Sequence, residues 1–154
     1  AGKGSTIGHG SANLTVAKLR TAKATLDKNN VPAEDRHIVL HANNLASLLS
    51  ETAVTSSDFN TVRALVSGEL NTFLGFTFHT VGDRAEGGLP INASSHRSCL
   101  AFHRSAIGYG EGIAPRTEIN YVPEKTSFLV NSMLSACSVG IDSEGIVKVE
   151  ALES

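Results

Sequence analysis

The side chains that could do chemistry in this 154-residue chain are six histidines, two cysteines and a few charged residues around one long loop. His37 and His41 stand at i and i+4. On a helix that spacing would offer two imidazoles to one metal ion. The run His37-Ile38-Val39-Leu40-His41 carries β-branched residues and polar ends, however, and reads as a strand. Along a strand, i and i+4 side chains share a direction but stand about 13 Å apart, too far to share an ion. No Cys or carboxylate completes a set beside them, so both histidines are assigned a structural role. Cys99 and Cys137 fit no metal or CxxC spacing. They read as two small buried hydrophobes in a reducing compartment, with a Cys99–Cys137 disulfide as the alternative.

Ser94-Ser95-His96, with Asp83 nearby in sequence, contains the residue types of a nucleophile triad. A triad needs a rigid elbow such as GxSxG to present the serine, and none is present. Glu34-Asp35-Arg36 reads as a solvated ion pair in a turn. Gly2-Lys3-Gly4-Ser5-Thr6 is not a phosphate loop, because the lysine is not followed directly by Ser or Thr and no strand precedes it. Gly108-x-Gly110-x-Gly112 lacks the dinucleotide spacing and a following helix. No catalytic residue, cofactor-binding residue or metal ligand is therefore assigned. An enzyme or ligand-binding reading survives only if His96, His103 and Asp83 converge on a pocket beside the Val81–Ser95 loop.

Composition narrows the classes further. Hydrophobic content of 41% and charged content of 18% suit a globular domain with a real core. The formal net charge is -2 with no basic stripe, which argues against a nucleic-acid footprint. Trp is absent and aromatics are 5%, too few for a base-stacking platform. No apolar run reaches membrane-spanning length, and no signal peptide is visible. The opening Ala1-Gly2-Lys3-Gly4 lacks a methionine and reads as a cut or processed start.

The elements that would position these residues are organised around Val31–Leu49. Pro32 stops a helix, because its ring disfavours helical backbone at Val31. His37–His41 then reads as a central strand covered on both faces. Asn43 or Asn44 can cap a helix whose apolar face is Leu45, Leu48 and Leu49. Upstream, residues 1–13 read as a mobile leader. Thr15 caps a helix to about Lys28, with Val16, Leu19, Ala22 and Leu26 inside and Lys18, Arg20, Lys23 and Lys28 on the wet side. Downstream, Ser56, Ser57 or Asp58 can cap a third helix through Val62, Leu65 and Val66, ended by Gly68. Phe76, Phe78 and Thr80 alternate as a strand, with Gly75 marking a bulge or tight bend before it. Arg97–His103 is a strand, and Ala106–Gly112 is irregular. Arg116–Val122, Lys125–Ile141 and Ile146–Val149 read as three closing strands in an antiparallel meander, the long middle one buried on both faces.

Several phrases in one order resemble the major capsid proteins of tailed bacteriophages, the coat family with the Hong Kong ninety-seven fold. They are Leu14-Thr15-Val16-Ala17-Lys18-Leu19, Val31-Pro32-Ala33-Glu34-Asp35-Arg36 into His37-Ile38-Val39-Leu40, Ser57-Asp58-Phe59-Asn60-Thr61-Val62, Gly68-Glu69-Leu70, Phe73-Leu74-Gly75-Phe76, Cys99-Leu100-Ala101-Phe102 and Ile141-Asp142-Ser143-Glu144-Gly145-Ile146-Val147-Lys148-Val149. The resemblance implies an α+β fold: a mixed sheet flanked by about three helices, with long C-terminal antiparallel strands. It implies a leader over 1–13, an axial-type domain over 14–115 and returning strands of the peripheral domain over 116–154. Nothing matches the family's N-terminal arm, extended hairpin or spine helix, so a fragment is implied. The implied role is structural and non-enzymatic: self-assembly into homopentamers and homohexamers of an icosahedral shell around DNA, in a phage or prophage. Scaffolding and portal proteins would be partners, with no sequence-specific nucleic-acid binding and no membrane. The place would be the virion capsid, assembled in the bacterial host cytoplasm. An encapsulin-like compartment shell has the same fold and is a further alternative.

Overall fold

Helix α1, Val16–Lys28, is opened by Thr15, whose side-chain oxygen accepts from the Lys18 backbone N–H at 3.3 Å. Asn30 takes a left-handed φ of 55° at the far end, and the Val31 N–H reaches the Leu26 carbonyl at 3.0 Å. Thr15→Ala is expected to cost about 1 kcal/mol of stability by chemical denaturation, because the first turn loses a side-chain acceptor. The structure is a computed structural model and describes residues 4–50, 72–83, 88–89, 91–92 and 94–153. The expected third helix, from Ser56–Asp58 through Val62, Leu65, Val66 and Gly68, lies outside the described residues.

Strand β1 is Ser5–Ile7, β2 Arg36–His41, β3 Thr72–Phe73, β4 Phe76–Val81, β5 His96–His103, β6 Ile107–Val122, β7 Ser127–Gly140 and β8 Ile146–Leu152; helix α2 is Ala42–Ser50. Among the described residues, six strands form one sheet in the order β1-β8-β5-β2-β4-β3. It is mixed: β1–β8 and β2–β4 are parallel, and the other pairs are antiparallel. β2 is central, as its apolar run requires. Its Arg36, Ile38 and Leu40 are buried, while His37 and Val39 are only partly covered. Leu14, Leu19, Ala22 and Leu26 meet Ile38, Leu40, Cys99, Val147 and Val149 in the core, with Leu48 of α2 and Phe73, Phe76 and Phe78.

Several expectations are corrected. Residues 5–7, assigned to a mobile leader, pair with Val147–Val149 of β8. Gly4 packs so closely on Ile146 that a Cβ there would lie 2.4 Å from its carbonyl oxygen. Lys18 is buried, not wet: its ammonium donates to the carbonyls of Ala12, Asn13 and Glu150 at 2.7, 2.8 and 3.1 Å. Three acceptors replace the water it loses, although burial pulls its pKa down. α2 starts at Ala42, and its entry is capped by His41, whose Nδ1 accepts from the Asn43 N–H at 3.2 Å. Asn44 is buried and bonds Asn13 at 2.6 Å. Gly75 does lie at a tight bend. Leu74 and Gly75 both have positive φ, 54° and 85°, and close a hairpin between β3 and β4.

The C-terminal meander is also replaced. β8 returns to the sheet between β1 and β5, because its alternating Val147, Val149 and Ala151 complete the core under α1. Among the described residues β6 and β7 pair only with each other, as a separate antiparallel ribbon. The glycines of 106–112, expected to be irregular, belong to β6 from Ile107 on.

Candidate assembly surface

The ribbon of β6 and β7 leaves the sheet at a firm base. The N–H groups of Ile141 and Asp142 both donate to the Ala106 carbonyl, at 2.8 and 3.3 Å. From there it extends roughly 45 Å at the usual strand rise. It turns at Pro123–Lys125 and a left-handed Thr126, φ 48°. Nearly every residue along it is exposed, which overturns the expectation of a strand buried on both faces. β7 itself carries no charged residue over its 14 positions. β6 is interrupted by two register shifts, between Glu111 and Ile113 and between Ile113 and Arg116, the second holding Pro115, which has no N–H to give.

Directly opposed residues of an antiparallel pair share a face. One face of the outer ribbon carries Tyr121 opposite Phe128, Ile119 opposite Val130 and Thr117 opposite Ser132, and Leu134 continues it along β7. The Tyr121 and Phe128 rings meet at a 58° tilt with centroids 5.4 Å apart. The other face carries Arg116, Glu118, Asn120 and Asn131 beside Leu129 and Met133, with a 3.3 Å ion pair from Arg116 to Glu118. Phe128, Ile119, Leu134 and Val130 are 70, 66, 63 and 61% exposed. Covering them with Tyr121 would stabilise a contact by on the order of 5 kcal/mol. A two-stranded ribbon is marginal in water by itself, and patches of this kind mark interaction surfaces. The apolar face is thus the larger uncovered hydrophobic surface of the ribbon, and the Arg116–Glu118 pair, exposed to solvent, adds little.

A second constellation lies at the rim of the sheet. Arg97 is almost fully buried and donates to both Glu153 oxygens, at 2.7 and 3.0 Å, to Asp83 and to the Leu89 carbonyl. His41 stands 3.4 Å from Asp83 and 3.9 Å from Glu153. The cluster ties the start of the 82–89 connection and the C-terminal end of β8 to the core. Burial pushes the Glu153 carboxyl up, but the hydrogen bonds from Arg97 and Asn43 outweigh it and hold it below the usual glutamate range. The Arg97 bond likewise holds Asp83 down. Glu153 therefore contributes stability that is fully present above its unfolded pKa of about 4.3 and lost as pH falls through its lower folded value. Denaturation midpoints of the parent are expected to fall across that acid window, and those of Glu153→Gln to fall less.

The residues of the enzyme reading are not brought together. Asp83 faces Arg97 and His41. His96 stacks on His9 with ring centroids 3.9 Å apart. His103 contacts Ser105 at 2.7 Å, and it sits at the opposite end of β5 from His96, about 23 Å along the strand. Cys99 is buried, its thiol pushed up to about 11 by desolvation, but Cys137 is exposed on the ribbon and both are free. Among the described residues no three His, Cys, Asp or Glu side chains form a metal-binding group. None of the described helices is long and apolar enough to cross a membrane. The sequence reading missed Arg97, although its parity with Cys99 and Ala101 in an apolar strand marks it as inward-facing.

Comparison with known proteins gives the fold its context. The structure is similar to that of a protein of Mycobacterium phage Che8, with a TM-score of 0.69 and 21% identity, covering 96% of this chain and 53% of that one. It is similar to the capsid structure of cyanophage P-SCSP1u, with a TM-score of 0.65 and 23% identity over 99% of this chain and 54% of that one. A virus-like particle from Pyrococcus furiosus gives 0.57 and 13%, over 97% of this chain and 55% of that one. The chain spans about half the length of these solved structures. No curated protein matches it by sequence. The family model described as phage capsid protein matches residues 3–153. By that match over nearly its whole length, the chain belongs to the phage capsid protein family.

Proposed function

We propose that this chain is the C-terminal part of a major capsid subunit, and that the apolar face of its ribbon is where the subunit is completed and built into a shell. The observation that carries this reading is the row Ile119, Tyr121, Phe128, Val130 and Leu134, exposed on one side of a two-stranded ribbon of a kind that is marginal when uncovered. In this reading the six-stranded sheet with its helices is the axial domain. The ribbon is the pair of returning strands of the peripheral domain, bounded by the ends of β6 and β7, so that β8 goes with the axial domain. The subunits form pentamers and hexamers of an icosahedral shell around DNA, assembled in the host cytoplasm with scaffolding and portal proteins. Net charge near zero suits a wall that encloses DNA without gripping it.

The test is to express the longer capsid gene product and view it by negative-stain electron microscopy. Closed shells or capsomer rings are expected. A monodisperse small particle at every concentration would overturn the reading. A compartment shell of the virus-like-particle kind is the second reading, supported by the fold similarity to the Pyrococcus furiosus particle. Nucleic acid inside purified shells favours the phage reading, and protein cargo favours the second.

A further inference from the structure

We propose that His37 and His79 bind a divalent transition-metal ion between them, as a staple across the parallel strands β2 and β4. The His37 Nδ1 and His79 Nε2 atoms lie 3.1 Å apart. Two imidazole nitrogens that each sit about 2.0–2.1 Å from one ion, at an angle near 100°, stand about that far from one another. The rings are carried on regular backbone. β2 and β4 are held in register from His37 opposite Thr77 to His41 opposite Val81, with His79 opposite Val39. The strands that carry the pair are thus fixed by a hydrogen-bonded ladder, and receiving an ion requires only that the hydrogen bond between the rings open and each ring turn its nitrogen toward the ion.

Without metal the two facing nitrogens share one proton. When an ion binds, each ring carries its proton on its outer nitrogen, Nε2 of His37 and Nδ1 of His79. Two neutral rings need only this change of tautomer, so no proton is released. Burial, and then the neighbouring His79, hold the His37 imidazole below its ordinary pKa. Of the charged and titratable groups around it, Asp35 favours a cation, while Arg104 and His103 oppose one. His79 is exposed, so water can fill the remaining positions. Two imidazoles with open positions suit Ni2+ or Cu2+, whereas structural Zn2+ sites close with four protein ligands.

The experiment is calorimetric titration of Ni2+ into the 154-residue chain at neutral pH, with thermal melting alongside. The parent is expected to bind one equivalent and to melt higher with the ion. Affinity is expected to fall about a hundredfold in His37→Gln and in His79→Gln, because the second ligand no longer adds its effective concentration. A His9→Gln/His96→Gln variant, which removes the other histidine pair, is expected to bind as the parent does. His79 is exposed, so its variant keeps the fold, and circular dichroism checks this. Unchanged binding in His79→Gln, or no saturable binding by the parent at millimolar Ni2+, overturns the proposal.

Discussion

Phe128→Asp combined with Val130→Asp is expected to abolish shell assembly by the full subunit while leaving the folded sheet of this chain unharmed. Both side chains are largely exposed on the ribbon, so replacing them removes almost no core contact, and surface changes of this kind alter stability by within about 0.5 kcal/mol. In the proposed assembled state the same positions lie against apolar surface. A carboxylate there must be buried without a partner, at a cost of several kcal/mol per group. Two such groups exceed the gain of on the order of 5 kcal/mol from covering the apolar row. Urea denaturation of the 154-residue chain checks the first half, and particle counts of the full subunit by electron microscopy check the second. The control is Glu118→Ala on the polar face, expected to assemble at parental yield. Shells at parental yield from the double aspartate variant would show that this face is not the contact.

Arg97→Met is expected to destabilise the chain by about 3–5 kcal/mol, because it leaves the buried Glu153 carboxylate without its cation. The direction follows from geometry. Arg97 and Glu153 meet through two hydrogen bonds inside the protein, and the Leu89 carbonyl loses its donor as well. Pairing, rather than the charge itself, is what stabilises the site. The double variant Arg97→Met/Glu153→Leu is therefore expected to recover most of the loss, since an apolar pair of similar volume leaves no unpaired buried charge. Denaturation midpoints of the single and double variants decide the matter. A single-variant loss under about 1 kcal/mol would mean that Glu153 finds water.

Strand β2 was legible because Ile38 and Leu40 lie in an apolar run too short for a helix, bounded by Pro32 and the Asn43-Asn44 region. Helix α1 was legible from the spacing of Val16, Leu19, Ala22 and Leu26, yet Lys18 on the same helix was misread. Its position lies near the edge of the apolar stripe, and only the carbonyls of Ala12, Asn13 and Glu150, brought in by other segments, make its burial tolerable. The ribbon was misread in the opposite sense. Apolar residues on both parities of β7 signal contact on both faces, but they do not say whether the partner lies within the chain. The absence of a GxSxG elbow and of a phosphate-loop motif was legible in the sequence. The Arg97–Glu153 cluster was not, because its members are 56 positions apart.

By itself the sequence determined what depends on neighbours a few positions away: the helix face of α1, the stop at Pro32, the apolar run of β2 and the order of phrases that resemble capsid proteins. Local sterics, capping and side-chain period act over one or two turns, and they leave their record in adjacent residues. Tertiary structure alone decided which strands meet. It drew β8 back beside β1 and β5, left β6 and β7 as an uncovered ribbon, and placed His37 against His79 rather than His41. Strand pairing joins residues far apart in the chain, and its register is chosen by which faces the whole molecule can bury.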